Sequence, residues 1–192
     1  MNDDFGQIFS FIMEVEQLKS VHRRMRTGPE RRFENAAEHC WQTALLAWTL
    51  APYAALPVDT TVVIKMLLLH DIVEIDTGDK FVYGTHHDDY ENESAAARRI
   101  FGLLPPPSAE SYRCLWETFE TGETPEAIFA RAVDRLMPVL QNLFRDGISW
   151  REHEISLAQV LEKNRVIERA CPALWRRIEE MLKDAQRRGC LK

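Results

Sequence analysis

The segment Val62-Val63-Ile64-Lys65-Met66-Leu67-Leu68-Leu69 is almost wholly apolar, and it runs without a break into His70-Asp71 and then Ile72-Val73. Such a run reads as a helix at the centre of a domain, with Asp59 placed to cap its start. An ionised aspartate at the end of a buried helix is costly unless a cation or hydrogen-bond donors compensate it. Whatever the fold, it must bring a partner to His70 and Asp71.

Two further polar residues point the same way. His39 falls on the side of its helix that carries Thr43, Leu46 and Leu50. Asp134 lies within Ala130-Arg131-Ala132-Val133-Asp134-Arg135-Leu136-Met137, near the apolar face of the helix that follows Pro125. Alone, His39 is most simply a core histidine, Asp71 a helix cap, and Asp134 a surface partner for Arg131 or Arg135. Together, two imidazoles and two carboxylates directed into one core need a common partner, and a divalent metal supplies it. Pro138, four residues after Asp134, cannot donate to the Asp134 carbonyl, so a kink is expected there.

The rest of the chain reads as helical, with no convincing strand alternation. A first helix is expected from about Phe5 to Val21, with Ile8, Phe11, Ile12, Val15 and Leu18 on its apolar face. A basic connection follows, Arg23-Arg24-Met25-Arg26, ending in Gly28-Pro29. The next helix starts near Glu34 and ends before Pro52. It carries two apolar stripes, and Trp41 and Trp48 are expected in the core. A loop from Asp76 to about Tyr90 separates the central helix from helices at Glu91–Leu103, Ser108–Glu120, Pro125–Asp146, Glu154–Ala170 and Pro172–Arg188. Pro125 and Pro172 suit first-turn positions.

A chain of 192 residues fits one domain, 1–192, since division would leave two marginal cores. A net charge of -6 argues against a duplex-binding module, which works by neutralising phosphates, but not against a small anionic substrate in one pocket. Cys40, Cys114, Cys171 and Cys190 are scattered without a CxxC pair, which points to a reducing cytoplasm rather than a disulfide framework. The N-terminus lacks the features of a signal peptide, and the longest apolar run is too short to span a bilayer. A cytoplasmic protein with no membrane partner is the expectation.

The strings Glu34-Asn35-Ala36-Ala37-Glu38-His39, His70-Asp71-Ile72-Val73-Glu74 with Gly78-Asp79, and Ala132-Val133-Asp134 resemble the HD-domain metal-dependent phosphohydrolases, in the branch containing the bacterial 5'-deoxynucleotidases. The resemblance covers about Leu18 to Leu143. It implies an all-α HD-domain bundle with the metal between central helices, and His39, His70, Asp71 and Asp134 as ligands to one divalent ion. Mixed nitrogen and oxygen ligation suits Mn, Co, Fe, Ni, Zn or Mg without choosing among them. It further implies Glu74 and Asp79 as the acidic groups that serve the attacking water and the leaving oxygen. Glu74, one turn beyond His70, would project from the same helical face. Arg24 matches the position at which related nucleotidases set an arginine against the substrate phosphate, although Met25 stands where they carry an aromatic. The implied substrate is a phosphate monoester, most plausibly a (deoxy)nucleoside 5'-monophosphate, and the implied assembly is a homodimer through apolar faces of terminal helices.

Simpler or different readings stand beside these. Asp79 after Gly78 could be an ordinary turn residue, and Arg24 part of a solvated basic run. One alternative function is a non-catalytic HD module that binds a nucleotide or signalling phosphate. Another is a binuclear oxygenase that recruits His86 and His87 to a second metal.

Overall fold

The structure, a computed structural model, describes residues 3–27, 32–84 and 90–192. His86 and His87, with the adjacent Asp88 and Asp89, lie outside the described residues, as does Gly28-Pro29.

Helix α1 (Asp4–Val15) continues as a 3-10 turn (Glu16–Ser20) into an antiparallel hairpin of β1 (His22–Thr27) and β2 (Arg32–Asn35), pairing His22 with Asn35 and Arg26 with Phe33. Helix α2 (Ala36–Leu50) starts on a reciprocal cap. Asn35 accepts from the Glu38 N–H, and Glu38 reaches back to the Asn35 N–H. Helix α3 (Thr60–Leu69) is capped as expected by Asp59, which accepts from the N–H groups of Thr61 and Val62. A 3-10 turn (His70–Val73) and the short α4 (Glu74–Thr77) follow. Then come α5 (Tyr90–Phe101), α6 (Pro106–Thr121), α7 (Pro125–Leu143), α8 (Ile148–Glu152), α9 (Leu157–Lys163), α10 (Arg165–Ala170) and α11 (Pro172–Arg187). Pro138 sits inside α7 without ending it.

Helices α2, α3 and α7 pack on one another and form the centre of this all-α bundle. Ala44 and Ala47 on α2 are small enough to let α3 and α7 approach closely. A second apolar cluster under α1, α5 and α6 gathers Phe11, Ile100, Phe101 and Trp116. His39 and His70 sit with the central helices, buried to 0% and 4% exposure.

Four expectations need correction. The basic connection after the first helix is the β hairpin, not a loop. Its alternation is hidden because the inward side faces charged groups rather than an apolar core. Trp41 and Trp48 are exposed, at 63% and 66%. Two stripes fit one helical period equally well, and the stripe that packs inward carries the smaller Cys40, Ala44 and Ala47. On α1 only Phe11 is buried, while Ile8 and Ile12 face outward. The segment 154–170 is two helices, parted at Asn164, whose side chain bonds back to the Val160 carbonyl.

Adjacent leucines on α3 offer a test of this packing. Leu67 is fully buried, whereas Leu68 is 46% exposed. Leu67→Ala is expected to cost about 2–5 kcal/mol in urea denaturation through the cavity it leaves. Leu68→Ala should cost under about 1 kcal/mol.

Candidate metal centre

Four side chains from α2, the α3 terminus and α7 converge. His39, His70 and Asp71 each offer a ligand atom within 4.8 Å of the others. Asp134 Oδ1 lies 2.9 Å from His39 Nε2 and 3.5 Å from His70 Nε2. Asp134, the fourth residue expected from the sequence, therefore joins the other three through the two imidazoles, and it turns to them rather than to Arg135, whose Nε is 4.0 Å away.

The chemistry of this cluster fits a cation. His70 donates its Nδ1–H to the Leu67 carbonyl at 2.9 Å, which aims Nε2 at the carboxylates. That Nε2 is buried and has no hydrogen-bond partner, although Asp71 Oδ1 stands 3.1 Å away. Burial disfavours a charged imidazole, but the Asp71 charge outweighs it and raises His70 well above its ordinary value. A nitrogen so placed among carboxylate oxygens calls for a positive charge between them, a proton or a divalent ion. Burial opposes ionisation of Asp134, yet the adjacent His39 and His70 hold its carboxyl well below the usual range.

The 3-10 turn alters one detail of the expected arrangement. In a 3-10 helix residues three apart eclipse, so Glu74 aligns with Asp71 rather than with His70. Burial raises the Glu74 carboxyl well above its ordinary value, and the Asp71 charge adds to the effect. Asp79 is raised too, chiefly by burial, against the opposing pull of Arg23. Gly78, at φ 73°, turns the chain after α4 with its N–H on the Glu74 carbonyl, and this delivers Asp79 into the cluster. Asp79 is no ordinary solvated turn residue.

Arg23 was not expected here. Its Nη1 lies 2.8 Å from Asp71 Oδ2 and 3.5 Å from Asp79 Oδ1, and its Nε lies 3.5 Å from Glu34 Oε2. Burial disfavours its charge, but Asp71, Glu74, Asp79 and Asp134 outweigh that and hold it firmly protonated. A signal for it exists in the sequence. Met25, the apolar residue of the basic run, marks the inward side of β1, and Arg23 shares its parity. Arg24, of opposite parity, is exposed. Its guanidinium lies 5.7 Å from the Phe81 ring centre on the wall of the same cavity. Glu34, only 1% exposed and in contact with His39, was likewise missed.

The cavity, about 210 Å³, also holds Glu74, Asp79 and Asp134 on its wall. Its wall mixes apolar residues, Met25, Val139, Trp150 and Ile155 among them, with the basic Lys80, Arg131 and Arg135. It suits a small molecule with one anionic and one apolar end, not a polymer.

The HD-domain profile matches residues 15–175. A protein described as a predicted metal-dependent phosphohydrolase from Magnetospirillum magnetotacticum MS-1 is 40% identical, with a TM-score of 0.93 over 98% of this chain and 95% of that one. The human 5'-deoxynucleotidase HDDC2 is 29% identical over 140 residues, 70% of this chain and 66% of its own length. An HD-domain phosphohydrolase from Listeria innocua, 14% identical with a TM-score of 0.55 over 92% of this chain and 84% of that one, shares the fold.

Arg23→Met tests the electrostatics directly. In protein stripped with a chelator it would leave Asp71 and Asp79 without their guanidinium, and a loss of about 3–5 kcal/mol is expected in urea denaturation. A loss below about 1 kcal/mol, the range of exposed ion pairs, would mean that these carboxylates are compensated otherwise.

Proposed function

The chain belongs to the HD-domain family, and on that footing we propose that this metal-dependent phosphohydrolase cleaves (deoxy)nucleoside 5'-monophosphates to the nucleoside and phosphate. The observation that carries the proposal is the convergence of His39, His70, Asp71 and Asp134 beside the buried Glu74 and next to Arg23. Those four residues hold one divalent ion. When bound, such an ion acidifies a water molecule and polarises a phosphoryl oxygen. The human relative's 5'-deoxynucleotidase name supports a nucleoside as the leaving group, and Met25, Val139, Trp150 and Ile155 give the mixed cavity wall apolar surface for one.

The chain's own residues then divide the work. Arg23 and Arg24 supply positive charge where an ester phosphate would enter, Arg23 from within and Arg24 from the rim. Hydrolysis forms a bond from the water oxygen to phosphorus and breaks the bond to the nucleoside oxygen. One proton must leave the water and one must reach the departing oxygen. Glu74, whose carboxyl burial raises well above its ordinary value, is suited to donate, and Asp79 to orient and accept. Phosphoryl transfer needs little more than such positioning and charge stabilisation.

We also infer a homodimer. Trp41, Leu45 and Trp48 form an exposed stripe on α2, and residues Cys40–Val58 carry no charged side chain at all. On α1, Phe5, Phe9, Ile12 and Met13 are exposed as well. Contiguous apolar surface of this kind marks association. Among the described residues no helix is long and apolar enough to cross a membrane. The four cysteines are free thiols, which supports a cytoplasmic setting.

Two experiments test these proposals. Purified protein given Mn, Co or Mg should release phosphate from deoxynucleoside 5'-monophosphates. Glu74→Gln should lower kcat by about 100- to 10,000-fold while nucleotide binding persists. Binding without any turnover in the unaltered protein would favour the regulatory module instead. For assembly, light scattering should give the mass of two chains, and paired Trp41→Ser and Trp48→Ser changes should give the mass of one. A unaltered chain that runs as a monomer at tens of micromolar would end the dimer proposal.

A further inference from the structure

Glu34 sits on β2 with 1% of its surface exposed. A carboxylate so placed needs donors around it, and three come from three elements. Gln141 Nε2 on α7 donates to Oε1 at 2.5 Å. His39 Nδ1 on α2 and Arg23 Nε on β1 lie 3.4 and 3.5 Å from Oε2. Among the described residues, Glu34 Oε2, His39 Nδ1 and Arg23 Nε are buried without a hydrogen-bond partner, and Oε2 is the carboxylate oxygen close to both nitrogens. A small shift within this group would satisfy all three.

The consequences reach the ion site along three paths. An imidazole whose Nδ1–H is held by a carboxylate presents the lone pair of Nε2, in a fixed ring orientation, to whatever lies opposite. For His39 the group opposite is the cluster with Asp134 and His70. Gln141 follows Asp134 by two turns on the same face of α7, so its bond to Glu34 ties the helix that carries Asp134 to the hairpin. Arg23, gripped through Nε, keeps its terminal nitrogens for Asp71 and the cavity.

We propose that Glu34 is a positioning residue: one carboxylate sets the His39 tautomer with Nε2 toward the cation, orients Arg23, and locks α7 to both through Gln141. This rests on the metal-site reading above. Glu34 touches neither the ion nor the ester. It acts through groups that do.

Zinc is a suitable probe, because its binding can be followed without turnover. Long-range proton–nitrogen NMR of the zinc-loaded, unaltered protein should place the His39 proton on Nδ1 and the metal on Nε2. The reverse assignment overturns the proposal without any variant, even if E34Q does not fold. Where E34Q folds, its amide cannot offer oxygens to all three donors. Zinc affinity in competition with a chelating dye should then fall about 10- to 100-fold. The reversed pair E34Q/Q141E restores complementarity, because the introduced amide can donate to the new carboxylate and turn its oxygen to His39 and Arg23. Most of the lost affinity should return. Unchanged affinity in folded E34Q, or no recovery in the reversed pair, would each overturn the proposal. If the unaltered protein binds no zinc, the metal-site reading itself fails, and that outcome is distinct from the others.

Discussion

Concentrating acid inside the fold is the constraint on which the rest of the molecule depends. Glu34, Asp71, Glu74, Asp79 and Asp134 converge on one seam, with the guanidinium of Arg23 set among them. Desolvated carboxylates repel one another and are tolerated only with compensating charge or retained protons. Each element around the seam can be understood by what it contributes to that balance. The hairpin brings Arg23 and Glu34, α2 brings His39, the α3 terminus brings Asp71 and Glu74, and α7 brings Asp134 and Gln141. The apolar clusters on either side hold these elements in register. They supply the rigidity that a site of mutually repelling groups lacks.

Much of this was legible in the sequence, for a definite reason. His70 and Asp71 break an apolar run, and a polar interruption of a buried helix is informative because it is costly. The cap at Asp59 is local chemistry, and it appears where the local sequence places it. Helix ends at Pro125 and Pro172 are fixed by the proline ring itself. The ordered His39, His70-Asp71 and Asp134 set could be joined before any geometry was known, since each is anomalous on its own helix.

What escaped the sequence shares a different physical origin. On β1 the apolar alternation shrinks to Met25, because the other inward residue, Arg23, faces acid rather than hydrocarbon. A rule that looks for alternating hydrophobicity has little to detect there. The stripes of α2 are degenerate for a related reason. Periodicity reveals that two faces exist, and only the neighbours decide which face is covered, so Trp41 and Trp48 could be placed only in three dimensions. The change from α to 3-10 winding at His70–Val73 is likewise set by tertiary contacts. It moves Glu74 from alignment with His70 to alignment with Asp71, and a sequence spacing of four could not foretell it.

The winding change bears on chemistry as well as on shape. Three residues apart on the 3-10 turn, Glu74 lies over Asp71. Placed over Asp71 and buried, it feels a like charge and loses hydration, and both effects favour keeping the proton. Positive charge also gathers on the wall around this seam: Arg135 lies 4.0 Å from Asp134, and Arg24 stands over Phe81 with Lys80 and Arg131 on the same cavity wall. Arginines of opposite parity on β1 thus differ in their surroundings. Arg23 makes the acid tolerable within, while Arg24 adds its charge to the exposed wall.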